Sequence, residues 1–248
     1  MNGAREDAHA GGHSAVHGAP GGLAISAAGY TLQVSPKTFE AGREEAFGLR
    51  ILDGSGHAVR DFDEQHGERM HLMVVRRDLA HYQHLHPSLG TDGTWSVPLV
   101  LPEPGVYRAF ADFSVGGESL TLGADLHVPG EMGLASLADP TSLARVDGYE
   151  VELGAGALTA GAASSLTFRI AREGQDVEEL EPYLGALGHL VALREGDLAF
   201  LHVHPSGGAG GRITFHAVFP SMGLYRLFLQ FAHEGRVHTV GFTTEILP

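Results

Sequence analysis

Six histidines stand in two identical frames. His71, His84 and His86 fall in MHLMVVRRDLAHYQHLHP (residues 70–87), and His189, His202 and His204 fall in GHLVALREGDLAFLHVHP (residues 188–205), each 118 positions after its counterpart. Imidazole is the commonest metal-ligand side chain, so three of them fixed twice in one frame form a candidate metal site. Zinc and copper both accept imidazole nitrogen at about 2.0 Å, and three such ligands leave a coordination position for water, substrate or a fourth ligand. His66, five residues before His71, is the candidate fourth ligand of the first frame, and its counterpart Leu184 cannot serve. Copper stands ahead of zinc in affinity for nitrogen ligands, and the first frame also carries Met70 and Met73 where the second has Gly188 and Val191. Copper is therefore the first expectation for the bound ion and zinc the second.

The elements that must position these rings read as a β-hairpin. Residues 189–193 and 198–204 form two strand-like runs around the turn residues 194–197. If Leu193 pairs with Leu198, paired positions sum to 391, His189 lies opposite His202, and His204 follows two residues on along the same face. The first frame, with pairs summing to 155, sets His71 opposite His84 with His86 beside them. Under this register His81 points to the other face. The surroundings of the two trios differ: Arg77 stands against Glu195, His81 against Ala199, Gln83 against Leu201 and Trp95 against Ile213, while the histidines are kept.

The repeat extends far beyond the hairpin. Tyr30 matches Tyr149, Ala41-Gly42 matches Ala160-Gly161 and Arg50-Ile51 matches Arg169-Ile170 at an offset of 119. Later, Gly105-Val106-Tyr107-Arg108 matches Gly223-Leu224-Tyr225-Arg226, and Phe110 and Phe113 match Phe228 and Phe231, at 118. The chain is thus a tandem duplication. Each copy offers short β-type runs separated by Gly, Pro and Asp turn signals every 8 to 12 residues or so, which predicts an all-β chain of two tandem antiparallel β-sandwich domains, immunoglobulin/cupredoxin-like in class. The expected boundaries are a flexible His/Gly-rich tail over 1–22, a first sandwich over 23–130, a linker over 131–146 holding one short helical turn, and a second sandwich over 147–248. Tyr107 and Tyr225, each after a glycine, have the position of hydrogen-bonding tyrosine corners.

Composition narrows the partners. With 30 acidic and 16 basic residues the formal charge is −14, which repels nucleic acid and anionic membrane surfaces. There is no cysteine, which removes disulfides and thiolate sites. No apolar run reaches the roughly 18 residues of a membrane span, and the first residues lack the apolar core of an export signal. His9, His13 and His17 recur every fourth residue among glycines and are read as a solvated tail with weak accessory metal capture as the alternative. His57, His127, His216, His233 and His238 have no counterpart in the other copy and are read as solvent or core residues.

His66-Gly67-Glu68-Arg69-Met70-His71-Leu72-Met73-Val74-Val75, followed by Asp78-Leu79 and His84-Leu85-His86-Pro87, resembles the H-E-K-x-x-H-L-I-V-V-x-x-D-L-x-x-F-x-H-x-H-P stretch of bacterial YtkA-like sandwich domains. The resemblance covers both halves but not the tail. Gly67 and Glu68 depart from the acidic-then-basic pair, and the second copy lacks the first histidine. The resemblance implies an extracytoplasmic (periplasmic, cell-surface or secreted) protein in a copper or heavy-metal context. The leading expectation is a two-domain protein that buffers, carries or delivers copper or zinc, with another metal-handling protein as partner. Two alternatives stay open: a metal-dependent enzyme with an open three-histidine site, and a tandem interaction module without metal. The chain has no Ser-His-Asp order, no H-E-x-x-H and no separate acid/base pair tied to the trio.

Overall fold

A computed structural model describes residues 20–133, 135–203 and 205–248. Among them there is no helix, so the helical turn expected between the domains is not seen there. The first domain contains β1 (Ser26–Ala27), β2 (Tyr30–Ser35), β3 (Glu44–Leu52), β4 (Met70–Arg76), β5 (Gln83–Leu85), β6 (Ser88–Leu89), β7 (Trp95–Val100), β8 (Gly105–Val115) and β9 (Glu118–Val128). The second contains β10 (Leu143–Val146), β11 (Tyr149–Ala155), β12 (Ala163–Arg172), β13 (Gln175–Asp176), β14 (Gly188–Arg194), β15 (Phe200–Val203), β16 (Pro205–Ala209), β17 (Arg212–Val218), β18 (Gly223–His233) and β19 (Arg236–Ile246). Each domain is an antiparallel β-sandwich. In the first, β1-β2-β3-β7-β6 faces β5-β4-β8-β9; in the second, β10-β11-β12-β17-β16, with β13 on β12, faces β15-β14-β18-β19. The end of the segment expected as linker is β10, which pairs with β11 from Leu143↔Glu152 to Val146↔Tyr149 and so extends the second domain's sheet.

The alternation along β3 puts Phe47, Leu49 and Ile51 inward, where they meet Leu72, Val74, Trp95 and Phe113 in the first core. Phe168, Ile170, Leu190, Phe215 and Phe242 play the same part in the second. β4 behaves differently, since all seven of its residues are buried. Met70, Leu72 and Val74 enter the first core, while Met73 and Val75 point the opposite way into a third apolar cluster that joins the two domains. That cluster contains Phe110 from the first domain and Val191, Leu193, Leu198, Phe200 and Phe228 from the second. A strand buried on both faces needs apolar residues at consecutive positions, which is why MHLMVV and HLVAL show no polar alternation.

The interface is built twice with the same parts. Tyr82 stacks on Phe228 with ring centroids 4.0 Å apart and planes 7° from parallel. Phe110 stacks on Phe200 at 5.1 Å and 26°. Adding 118 converts Phe110 to Phe228 and Tyr82 to Phe200, so each stack is the other with the domains exchanged, the pattern of an isologous two-fold interface. The symmetry is broken by one hydroxyl. The Tyr82 hydroxyl is buried with no hydrogen-bond partner among the described residues. Tyr82→Phe, which copies the Phe200 side, is expected to raise unfolding stability by about 1 kcal/mol, read from denaturant midpoints; a loss of stability would show that the hydroxyl is satisfied.

The hairpin register differs from the sequence expectation by two residues. Leu193 pairs with Phe200, Val191 with His202 and Leu190 with Val203, a sum of 393; in the first domain Met73 pairs with His84 and Leu72 with Leu85, a sum of 157. His84 and His202 therefore lie across from Met73 and Val191 rather than from His71 and His189. The cause is a wider turn. Arg194 accepts from Leu198 N–H and donates its own N–H to Ala199, while Asp197 caps the turn by accepting from the Arg194 guanidinium and the Ala199 N–H. Asp78 does the same for Arg76 and Ala80. Leu79 and Leu198 are both left-handed, at φ 68° and 62°. Ala80 is thus the structural counterpart of Ala199, and His81, at φ 55°, is an added residue in the first hairpin. A slip of two preserves the face of every side chain, so the histidines stay together.

Tyr107 and Tyr225 form the expected corners: each hydroxyl donates to a carbonyl four residues upstream, Glu103 O at 2.9 Å and Ser221 O at 3.1 Å.

Candidate metal centre

The third apolar cluster ends where the histidines begin. His71 on β4 and His84 on β5 project from the same sheet face as Met73, and His189 on β14 and His202 on β15 project from the facing sheet of the second domain. His71, His189 and His202 are 2%, 0% and 3% exposed. The described histidines of the two trios do not make two separate faces: His71, His84 and His86 of the first domain meet His189 and His202 of the second. The His71 ring centroid lies 5.3 Å from His84, 5.2 Å from His86, 5.3 Å from His202 and 6.3 Å from His189. His84 is 4.8 Å from His86 and 5.9 Å from His202, and His189 is also 5.9 Å from His202. The ligand atoms of His71, His84 and His86 all lie within 4.8 Å of one another.

Hydrogen bonds at the periphery fix which nitrogen of each ring faces inward. His71 Nε2 lies 3.1 Å from Gln65 O and His189 Nε2 lies 3.0 Å from Tyr183 O. A carbonyl only accepts, so in both rings Nε2 carries the proton and Nδ1 carries the lone pair. His84 Nδ1 donates to Gln230 Oε1 at 2.6 Å, and His202 Nδ1 donates to Asp112 Oδ2 at 2.8 Å, leaving the lone pair on Nε2 in both. Gln65 and Tyr183, and Asp112 and Gln230, are again related by 118. Each domain thereby orients a histidine of the other, because Asp112 belongs to β8 and holds His202, and Gln230 belongs to β18 and holds His84. Anchoring the outer ring N–H to a carbonyl or carboxylate is the usual device for aiming imidazole at a metal.

One consequence is an arrangement that two neutral imidazoles do not adopt by themselves. His71 Nδ1 and His84 Nε2 face each other at 3.1 Å, and both are lone-pair nitrogens in the tautomers just assigned. A cation between them resolves the conflict, and roughly 3 Å is the separation of two ligands bound to one ion at about 2.0 Å. His86 adds a buried Nε2 with no hydrogen-bond partner among the described residues. Burial disfavours the protonated form of three of the rings, His84, His86 and His189. It is the main force lowering the pKa of His84 well below 6.5, with repulsion from His202, His71 and His86 adding to it and the Gln230 contact opposing it. Burial, then His71 and His189, takes His86 down to about 4. His189 also falls to about 4, through burial against the opposing Tyr183 hydrogen bond and with smaller contributions from His71 and His66.

The remaining expected ligands divide. His66, at φ 53°, has its ring 6.3 Å from that of His189 in the other domain. His204, and with it the tail histidines His9, His13 and His17, lies outside the described residues. Met70 faces the first core, on the side of β4 away from the rings. His81 pairs with Glu103 at 3.0 Å, and His238 is held by Asp147 at 2.8 Å, both apart from the cluster. Sequence reasoning missed Asp112 and Gln230. The signal was present: each interrupts an otherwise apolar run, AFADF and LFLQF, at the repeat offset.

The fold and the site define a tandem β-sandwich protein with a histidine cluster between its halves. It belongs to the family described as a domain of unknown function (DUF8832), whose model matches residues 25–130 and again residues 144–247. Among curated proteins none matches. Solved structures similar to the chain include the Salmonella alpha-2-macroglobulin reacted with methylamine, at 15% identity and TM-score 0.32 over 93% of this chain and 15% of that one. The Escherichia coli adhesin FdeC is similar at 14% identity and TM-score 0.30, over 91% of this chain and 66% of that one. No helix among the described residues is long and apolar enough to cross a membrane.

Proposed function

We propose that this protein binds a copper ion, with zinc as the second choice, at the histidine cluster between its two domains, and that it buffers, carries or delivers that ion outside the cytoplasm to another metal-handling protein. The observation that carries the reading is the facing pair of lone-pair nitrogens, His71 Nδ1 and His84 Nε2, 3.1 Å apart and each locked in tautomer by an outer hydrogen bond. The donor set fits: imidazole nitrogen suits copper and zinc alike, and the cross-domain carboxylate and amide supply the outer support such ligands use. Holding rather than turnover is favoured by the burial of His71, His189 and His202, which leaves little room for a bulky substrate at the ring nitrogens. The chain's charge of −14 raises the local concentration of cations. The extracytoplasmic location rests on the resemblance of the H-x-H-P hairpin to YtkA-like domains.

Titration of metal-free protein with copper and zinc tests this. Saturable binding is expected, weakened strongly in His71→Ala/His84→Ala while the variant keeps its cooperative unfolding. Equal affinities in parent and variant would sink the assignment.

A further inference from the structure

We propose that copper enters and leaves the centre between two matching turns, residues 65–68 and 183–186, and that His66 at the tip of the first is the ligand that passes it in and out; the proposal rests on the metal reading above and names the route of its ion. The two turns are built alike. Gln65 N–H donates to Glu68 O at 2.7 Å and Glu68 N–H donates to Gln65 O at 3.1 Å; Tyr183 and Ala186 exchange the same two bonds at 2.7 and 3.2 Å. Both tip residues of each turn are left-handed, His66 and Gly67 at φ 53° and 79°, Leu184 and Gly185 at 52° and 73°, the geometry of a type I′ hairpin turn. Each turn also adjoins the centre, because Gln65 O and Tyr183 O are the acceptors that hold His71 and His189. From the turns inward, β4 presents His71, then Met73 and Val75, and β14 presents His189, then Val191 and Leu193. The rings thus lie between the turns and the apolar cluster.

An ion cannot come from the far side, where Met73, Phe110, Val191 and Phe200 are all buried against one another and a bare charge would lose its hydration without replacement. On the near side the imidazoles are graded by depth: His66 is exposed, His86 is half-buried, and His71, His84, His189 and His202 are buried. The backbone of the first turn does not itself call for an imidazole, since Leu184 adopts the same conformation in the second domain. The His66 ring instead reaches across the interface, its centroid 6.3 Å from that of His189 with the planes at 78°. Two rings that share one ion at about 2.0 Å from each nitrogen have centroids roughly 5 to 6 Å apart, so a side-chain rotation lets His66 and His189 hold an ion between them. Exposed side chains make such rotations within nanoseconds. Passage suits His66 better than residence, because the ligand atoms that already converge within 4.8 Å of one another are those of His71, His84 and His86. Affinity is the ratio of release to entry rates, so a ligand used only in passage changes both rates together and leaves the affinity alone.

The test uses the full chain. Metal-free protein is mixed rapidly with Cu(II) to measure loading, loaded protein is mixed with excess chromogenic copper chelator to measure release, and competition at equilibrium gives the affinity. His66→Leu, which copies Leu184, is expected to slow loading and release by about tenfold each while the affinity stays within about twofold of the parent's. Leu184→His, which supplies a second imidazole at the matching tip, is expected to speed both. An affinity lowered by about tenfold or more in His66→Leu, with release faster than the parent's, makes His66 a resident ligand and overturns the passage role. Loading and release rates in His66→Leu equal to the parent's overturn it too, and either result leaves the metal site standing. A parent that binds no copper overturns both.

Discussion

His202→Ala is expected to weaken copper binding roughly 100-fold or more, although His71, His84 and His86 all stay in place in the other domain. The effect should exceed that of removing a supporting residue, about 10- to 100-fold, because His202 contributes an inward Nε2 and also lies 5.3 Å from His71 between ring centroids. The substitution also takes from the buried Asp112 one of its two hydrogen bonds, the other coming from the Thr121 hydroxyl, and a hydrogen bond to a carboxylate is worth about 1.5–3 kcal/mol. His189→Ala separates the two causes. Its Nε2 bonds the uncharged Tyr183 carbonyl rather than Asp112, so binding falls while Asp112 keeps its partners. Competition against a chromogenic copper chelator, with unfolding measured in parallel, gives both numbers. Second-domain variants that bind as tightly as the parent would mean that the first trio works alone.

Acid is the second large lever. His84, His86 and His189 have folded-state pKa values below the ordinary 6.5, His86 and His189 at about 4, so below 6.5 the unfolded chain takes up protons that the folded chain refuses. Stability of the metal-free protein is then complete above 6.5 and falls as pH drops below it, the share from His86 and His189 being lost by about 4. His189 alone, moved from 6.5 to about 4 and fully buried, contributes about 3 kcal/mol. Because a bound ion occupies the same lone pairs, the loaded protein should hold its stability to lower pH than the free protein and release the ion toward pH 4, where the folded rings themselves take up protons. Urea midpoints at about pH 7.5 and about pH 4.5, with and without copper, check this; a metal-free midpoint that is flat across the window contradicts the assigned burial of the rings.

The duplication and the two sandwiches were legible in the sequence, as was the common face of His71 with His84 and of His189 with His202, because a repeat offset and a period of two survive an error in turn length. The register was not: the choice between a four-residue and a wider turn depends on left-handed Leu79 and Leu198 and on capping by Asp78 and Asp197, which no periodicity announces. The docking of the two domains was illegible for a different reason. Met73, Val75, Phe110 and their counterparts look like ordinary core residues, and only the burial of β4 on both faces reveals that a second sheet covers them. Asp112 and Gln230 acquire their meaning from that docking alone, since each reaches a histidine in the other domain.

The central claim is that one centre is shared by both domains. Calorimetric titration of the full chain with copper, with bound metal counted by elemental analysis, tests it most directly in the parent, in His71→Ala/His84→Ala and in His189→Ala/His202→Ala. The account predicts one tightly bound ion per parent chain and its loss in both double variants. Two ions per parent chain, with each double variant keeping one, would contradict it and restore two independent sites.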